Sequence, residues 1–211
     1  MGVEVEAKLI ACDAGPRAAM AEMPALGAAD LGPPTTVDEL DIYLDTDDRR
    51  LGAARWACRL RSRGDAYRVS LKGPAESDAD GGIHRRPEVE APATASFDPM
   101  AWPASDARDL ARELSGGAPL GEWLRLRQRR TEREVRLGER RLGSLSLDVV
   151  WIAGADREVP DPLHLVELEL ADGQNPMAGE ALTRLAAVLA SLPGLEPDLH
   201  TKLEHALELL A

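Results

Sequence analysis

The sequence predicts an α+β fold built on eight mostly antiparallel strands accompanied by four helices. Three observations carry that reading. Eight segments alternate apolar and polar residues with a period of two. Most follow one another over links too short for the crossovers that parallel strands need. The order strand, helix, three strands occurs twice, at an offset of about 84 residues that takes Glu4 to Glu88 and Glu6 to Glu90, consistent with an internal duplication.

Residues 3–9 form the first strand, with Val3, Val5, Ala7 and Leu9 on one face and Glu4, Glu6 and Lys8 on the other. A turn at Asp13-Ala14-Gly15-Pro16 leads into a helix over 16–28, and Pro33-Pro34 marks a loop. The second strand, 40–44, stops at Asp45-Thr46-Asp47-Asp48. The third, 57–63, turns Arg59, Arg61 and Arg63 to one side, and Gly64-Asp65 closes a hairpin onto the fourth. That strand, 67–72, sets Arg68, Ser70 and Lys72 against Tyr67, Val69 and Leu71, and 73–82 reads as a polar loop. The fifth strand, 86–91, carries Arg86, Glu88 and Glu90 on one face, and a helix over 106–114 is stopped by Gly116-Gly117. The sixth, 124–137, gathers Arg125, Arg127 and Arg129. Val135 and Leu137 fall out of phase with Leu124 and Leu126, which predicts a bulge or break near Arg130. The seventh, 145–151, opposes Ser146 and Asp148 to Leu145, Leu147 and Val149. The eighth, 165–170, opposes Glu167 and Glu169 to Leu165, Leu168 and Leu170, with Val166 out of phase. Helices over 176–191 and 198–210 close the chain, which is read as one domain over 1–211.

Composition narrows the function. The 211 residues hold 25 basic and 37 acidic side chains, a net charge of −12, which argues against a nucleic-acid partner. Seven aromatic residues offer little for base stacking. No apolar stretch reaches membrane-spanning length and the first residues lack an apolar signal core, so no membrane partner is expected. Cys12 and Cys58 match no metal or disulfide spacing, which fits a cytoplasmic location. The four histidines show no ligand spacing. The Ala- and Met-rich first helix reads as a cover or as a partner surface that would suit a homodimer. Arginine has replaced lysine nearly everywhere: 22 arginines stand against Lys8, Lys72 and Lys202.

The polar strand faces are unusual. They are almost wholly Glu, Asp, Arg and Lys, with acid pairs on the first, fifth and eighth strands and basic pairs on the third, fourth and sixth. Alternation alone leaves two arrangements open: a solvated outer face with cross-strand ion pairs, or a barrel with a charged lumen and an apolar exterior under the helices.

Nine ordered segments bear on that choice. The opening VEVEAK, a Glu-x-Glu-x-Lys strand, resembles the signature of the CYTH superfamily of triphosphate tunnel metalloenzymes. YLDT, CRLRSR, VSLKGP, HRRPEVEAP, RLRQRRTERE, SLSLDVV, HLVELEL and LHTKLEHAL resemble its later motifs in order, with Thr201 where the family has serine. All three lysines fall inside these matches. The resemblance implies an eight-stranded antiparallel β-barrel, a triphosphate tunnel, with a charged lumen and covering helices. It also implies metal-dependent hydrolysis of a triphosphate, with inorganic tripolyphosphate to pyrophosphate and phosphate as the leading reaction. Adenylate cyclase, thiamine triphosphatase and a non-catalytic polyphosphate-binding module are the alternatives; the intact acid pairs favour an enzyme.

Residue by residue, the resemblance implies that Glu4, Glu6, Glu167 and Glu169, joined by Asp148, hold Mg2+ or Mn2+. Paired carboxylates one residue apart on a strand face are expected to converge on one ion. Lys8 and Lys72 are the implied catalytic cations. Arg59, Arg61, Arg86, Arg127, Arg129 and Lys202 are the implied phosphate ligands, Arg86 being favoured over Arg85 by strand parity. Glu88 and Glu90 either bind metal or hold arginines in place, the second being preferred. Arg130 is left open by the parity break, and Arg63 and Arg68 fit a tunnel mouth.

Overall fold

The computed structural model describes residues 2–77 and 82–211. Strand β1 (Gly2–Ala11) is followed by helix α1 (Ala14–Glu22), a small hairpin of β2 (Ala25–Leu26) and β3 (Ala29–Leu31), β4 (Thr35–Asp45), a single-turn α2 (Arg50–Ala53), β5 (Ala57–Arg63) and β6 (Ala66–Lys72). The second half holds β7 (Glu76–Ser77), β8 (Ile83–Ala93), α3 (Asp106–Ser115), β9 (Gly121–Leu137), β10 (Arg140–Ala153), β11 (Leu163–Leu170), α4 (Pro176–Ala190), β12 (Leu195–Pro197) and α5 (Lys202–Leu210). Every strand pairing among the described residues is antiparallel. The order β10-β11-β1-β8-β6-β5-β4-β9, with β9 pairing back to β10, closes an eight-stranded barrel. The repeat in the sequence has a topological counterpart: β4-β5-β6 and β9-β10-β11 are each contiguous, β1 and β8 are neighbours, and so are β4 and β9.

Apolar outward faces explain where the helices sit. The outer sides of β1, β10 and β11 pack under α1, α4 and the β2–β3 hairpin, with Val5, Leu145, Leu168 and Leu182 all buried. The outer sides of β5, β6 and β8 pack under α3 and Trp102. A third cluster lies inside one end of the barrel, where Leu124, Leu126, Val150, Ile152 and Leu165 meet Ala206 and Leu203 of α5. Helix α5 therefore lies across that end. The outer face of β9 from Arg125 to Arg129 has no cover and is exposed.

Several local expectations are revised. The helix expected over 16–28 ends at Glu22, because Pro24 follows and Gly27, at φ 57°, turns the chain into a hairpin that adds β3 to β9. Met20 of α1 is buried in the core, so this helix is a cover for the barrel. The expected loop over 73–82 contains β7, which pairs with β8; its residues 78–81 lie outside the described residues. No bulge occurs near Arg130: β9 runs in unbroken register against β10 from Arg125 to Val135. The register shifts instead between Arg141 and Gly143, where a Cβ on Gly143 would come within 1.9 Å of the Glu169 carbonyl oxygen. Among the described residues, no helix is long and apolar enough to cross a membrane.

Candidate functional site

Alternation places one face of each barrel strand inside. Glu4, Glu6 and Lys8 of β1, Arg59 and Arg61 of β5, Lys72 of β6, Arg86 and Glu88 of β8, Arg130 of β9, and Glu167 and Glu169 of β11 line one cavity of about 200 Å³. Lys202 and Thr201 enter it from the N-terminal end of α5. Tyr43 lines it too, at the end closed by α5, and is buried.

The charges are sorted into neighbouring networks. The Glu4 carboxylate accepts hydrogen bonds from Lys72 Nζ and Arg86 Nε. Arg86 Nη2 also donates to Glu6 Oε1 at 3.2 Å, and Lys8 Nζ lies 3.3 Å from Glu6 and 3.6 Å from Glu167. Lys72 reaches Glu88 at 3.3 Å. Across the lumen, Arg130 binds Asp148 through two donors at 2.9 and 2.6 Å, and its Nη2 donates to Glu167 at 3.0 Å. Lys202 Nζ donates to the same two carboxylates at 2.6 and 2.8 Å. A third network ties Arg61 to Asp41 at 2.6 and 2.8 Å, with Gln128 donating to Glu39 and Asp41.

Burial makes these pairings consequential. Desolvation alone raises a carboxyl pKa. For Glu4 it is outweighed by Lys72 and Arg86, which hold the carboxyl well below its ordinary range. Arg130 and Lys202 do the same for Asp148, and Lys202, Lys8 and Arg130 for Glu167. Glu169 differs. Among the described residues no lysine or arginine reaches ion-pair distance of it, and burial beside Glu4 and Glu6 pushes its carboxyl up to about 7. One oxygen each from Glu4, Glu88 and Glu169 lies within 4.8 Å of the other two. That all-oxygen set, with one under-compensated carboxyl, fits a hard divalent cation.

The structure rearranges the sequence reading in two places. Arg127 and Arg129, expected as phosphate ligands, point out of the barrel; Arg129 pairs with Asp38 in solvent. Arg130 takes the inward position. Asp148 and Glu167, expected to hold metal, are enclosed by Arg130 and Lys202, whereas Glu88 stands with Glu4 and Glu169. Arg86 faces in, while Arg85 lies opposite Glu76 on the other face. Arg63 and Arg68 sit half-exposed at the open end, paired with Glu39 and Glu90. Asp45 and Thr46 of YLDT are structural: Asp45 accepts from Thr46, Leu51 and Gly52 amides and so caps α2. Glu39 and Asp41 were not singled out from the sequence, although they extend the parity of Tyr43 into the lumen.

No curated protein matches the chain by sequence. Solved structures do share its fold. HpAC1 from Hippeastrum, described as a candidate adenylyl cyclase with a dominant triphosphatase activity, superposes with a TM-score of 0.73 at 16% identity, covering 97% of this chain and 95% of that one. A candidate adenylate cyclase from Bacillus halodurans gives 0.61 at 16% identity, over 97% and 98% of the two chains. The Mimivirus capping-enzyme triphosphatase gives 0.54 at 11% identity, over 90% and 91%. The CYTH domain family model matches residues 3–193, nearly the whole sequence, and the chain belongs to the CYTH domain family.

Proposed function

We propose that this protein hydrolyses a triphosphate with a divalent cation, and that inorganic tripolyphosphate is its preferred substrate, giving pyrophosphate and phosphate. The observation that carries the reading is the meeting, in one cavity, of the Glu4, Glu88 and Glu169 carboxylates with the cations Lys8, Arg59, Lys72, Arg86 and Lys202. Among the described residues around the lumen, seven lysines and arginines face ten carboxylates (Glu4, Glu6, Glu39, Asp41, Glu88, Glu90, Glu132, Asp148, Glu167 and Glu169), so the basic side chains carry no surplus for a polyanion. With a cation held by the carboxylate cluster, Lys72 and Arg86 would be free to turn from Glu4 to a triphosphate. Mg2+ or Mn2+ held by Glu4, Glu88 and Glu169 would supply Lewis-acid charge neutralisation at the phosphate oxygens.

The chain's own residues do the rest. Arg59, Lys72 and Arg86 bind the phosphate oxygens, and Lys8 and Lys202 extend the ladder toward α5. Water adds to the terminal phosphorus as its bond to the bridging oxygen breaks, and the positive side chains stabilise the charge that collects on the leaving pyrophosphate. Tyr43 and the α5 leucines close the inner end, leaving substrate to enter from the side of Arg63 and Arg68. Among the described residues Tyr43 is the one aromatic side chain lining the cavity and is buried at its closed end, Trp102 is buried in the outer core and Trp123 stacks under Arg49, so none offers a wall for a base at the open end. Recognition therefore rests on the phosphate chain.

A phosphate-release assay over tripolyphosphate, ATP and thiamine triphosphate, with Mg2+ and with Mn2+, tests the proposal. The expected kcat/KM for tripolyphosphate exceeds that for ATP at least ~10-fold, or about 1.4 kcal/mol. ATP preferred, or cyclic AMP formed from it, assigns a nucleotide enzyme instead. Binding without hydrolysis of any of them assigns a polyphosphate-binding module.

A further inference from the structure

Three of the four histidines gather around one residue outside the triphosphate cavity. Asp198, which follows β12, is buried, and its backbone is pinned on both sides: its amide donates to the Lys8 carbonyl at 2.9 Å and its carbonyl accepts from His84 Nε2 at 2.8 Å. Its carboxylate is thereby fixed in place. His205, one turn into α5, puts Nε2 at 2.8 and 3.0 Å from the two carboxylate oxygens. His200, just before the N-cap Thr201, puts Nδ1 at 3.8 Å from Oδ1. One donor atom from each of the three residues lies within 4.8 Å of the other two. The remaining nitrogen of His200 lies 3.5 Å from Glu208 Oε1.

We propose that Asp198, His200 and His205 form a second metal site, separate from the carboxylate cluster of the cavity and selective for a borderline transition ion, Zn2+ in the first place. The spacing fits. Two donors on one tetrahedral Zn2+, each at roughly 2.0–2.1 Å, lie roughly 3.3–3.4 Å apart. The two histidine–aspartate contacts, at 2.8 and 3.8 Å, bracket that value, and the two imidazole donors lie within 4.8 Å of each other. Two imidazoles and one carboxylate favour Zn2+ over Mg2+, which takes oxygen ligands and water. Glu208 supplies the outer carboxylate that orients a ligating imidazole. The fourth position is left to water on the exposed side of His200. The ion would clip the extended β12 segment to the first turns of α5, the helix that carries Lys202 into the cavity.

The test is Zn2+ binding by calorimetry to the full chain, stripped with EDTA and returned to excess Mg2+ so that the oxygen cluster is occupied, with imidazole NMR as a second readout. The expected result is one Zn2+ bound per chain, a rise in Tm on binding, and shifts of the His200 and His205 imidazole signals while His164 stays put. His205→Gln should weaken Zn2+ by at least about tenfold, in the range lost when metal-site partners are removed, and Glu169→Gln should leave it unchanged. His200→Ala, at an exposed position, repeats the test where a buried change would disturb folding. Failure to bind Zn2+, binding that leaves both imidazole signals unmoved, or an affinity that follows Glu169→Gln and ignores the histidine variants overturns the proposal. None of these readouts requires the triphosphatase reading to hold.

Discussion

Replacing Glu169 by Gln should make the metal-free protein more stable at alkaline pH, an unusual outcome for a change at a candidate functional site. The Glu169 carboxyl stands at about 7 in the folded chain against an ordinary 4.5, because burial and the Glu4 and Glu6 carboxylates oppose its charge. A folded pKa above the unfolded one means that the folded state holds the proton more tightly between those values. Its contribution to stability is complete below about 4.5 and is lost as pH rises through 7. The difference of 2.5 units, at about 1.36 kcal/mol each, amounts to about 3 kcal/mol. In a chain of this size that corresponds to about 6–12 °C in Tm. Urea unfolding of wild type and Glu169→Gln, in EDTA at pH 4.5 and pH 8.5, reads it directly. The variant should gain on wild type by up to about 3 kcal/mol between the two pH values, and Mg2+ should erase most of that gain by compensating the carboxylate in wild type. His84 and His164, whose burial lowers their pKa, titrate in both proteins and cancel in the comparison. A difference between the proteins that does not change with pH in EDTA would refute the assignment of Glu169 as the under-compensated carboxyl.

Other substitutions separate the roles. Glu4→Gln or Glu88→Gln should lower tripolyphosphate turnover at least ~100-fold, about 2.7 kcal/mol, and calorimetry should show weakened Mg2+ binding; wild-type turnover in EDTA would remove the metal from the proposal. Arg130→Ala should lower stability by about 3–5 kcal/mol in a denaturant titration, since it strips a partner from buried Asp148 and Glu167. Arg127→Ala and Arg129→Ala, on the exposed outer face, should leave both the denaturant midpoint and kcat/KM unaltered. Lys8→Arg and Lys72→Arg should both impair turnover, because a planar guanidinium cannot take the place of a compact ammonium between two carboxylates; wild-type kinetics in both would make the scarcity of lysine merely compositional.

Strands β1, β5, β6 and β8 were legible because each faces two uniform environments, a charged lumen and a helix-covered exterior. Strand β9 was not, and its failure has a physical cause. Its inward face passes from the apolar end under α5, at Leu124 and Leu126, to the charged lumen at Arg130. Its outward face passes from open solvent, at Arg125 to Arg129, to a covered core at Val135. Both faces switch character along a regular strand, so polarity inverts while geometry does not, and a parity break was read where the backbone has none. Leu165 shares the face of Glu167 and Glu169 for the same reason: it lies under α5. Helix α2 and strands β7 and β12 were missed because each is four residues or fewer and exists through a side-chain cap or a distant partner strand.

The carboxylates that gather in the lumen come from three strands, and their ion-pair partners decide which they are. Residues two apart on one strand are separated by about 6.6 Å, so spacing along the strand does not by itself choose which glutamates meet. Residues on adjacent strands come closer, at about 4.5–5.5 Å between Cβ atoms when directly opposite, and long side chains also meet on the diagonal. The register puts Glu88 opposite Gly2 and Glu169 opposite Glu6, so Glu4 stands on the diagonal to both. Three glutamates from β8, β1 and β11 thus bring their tips together, while the second member of each acidic pair is free for other partners. Glu6 takes Lys8 and Arg86, and Glu167 takes Lys202 and Arg130. In each pair one glutamate joins the cross-sheet cluster and the other holds neighbouring ammonium and guanidinium groups. The acidic alternation marks the charged lumen, and the inter-strand register decides which glutamates meet there.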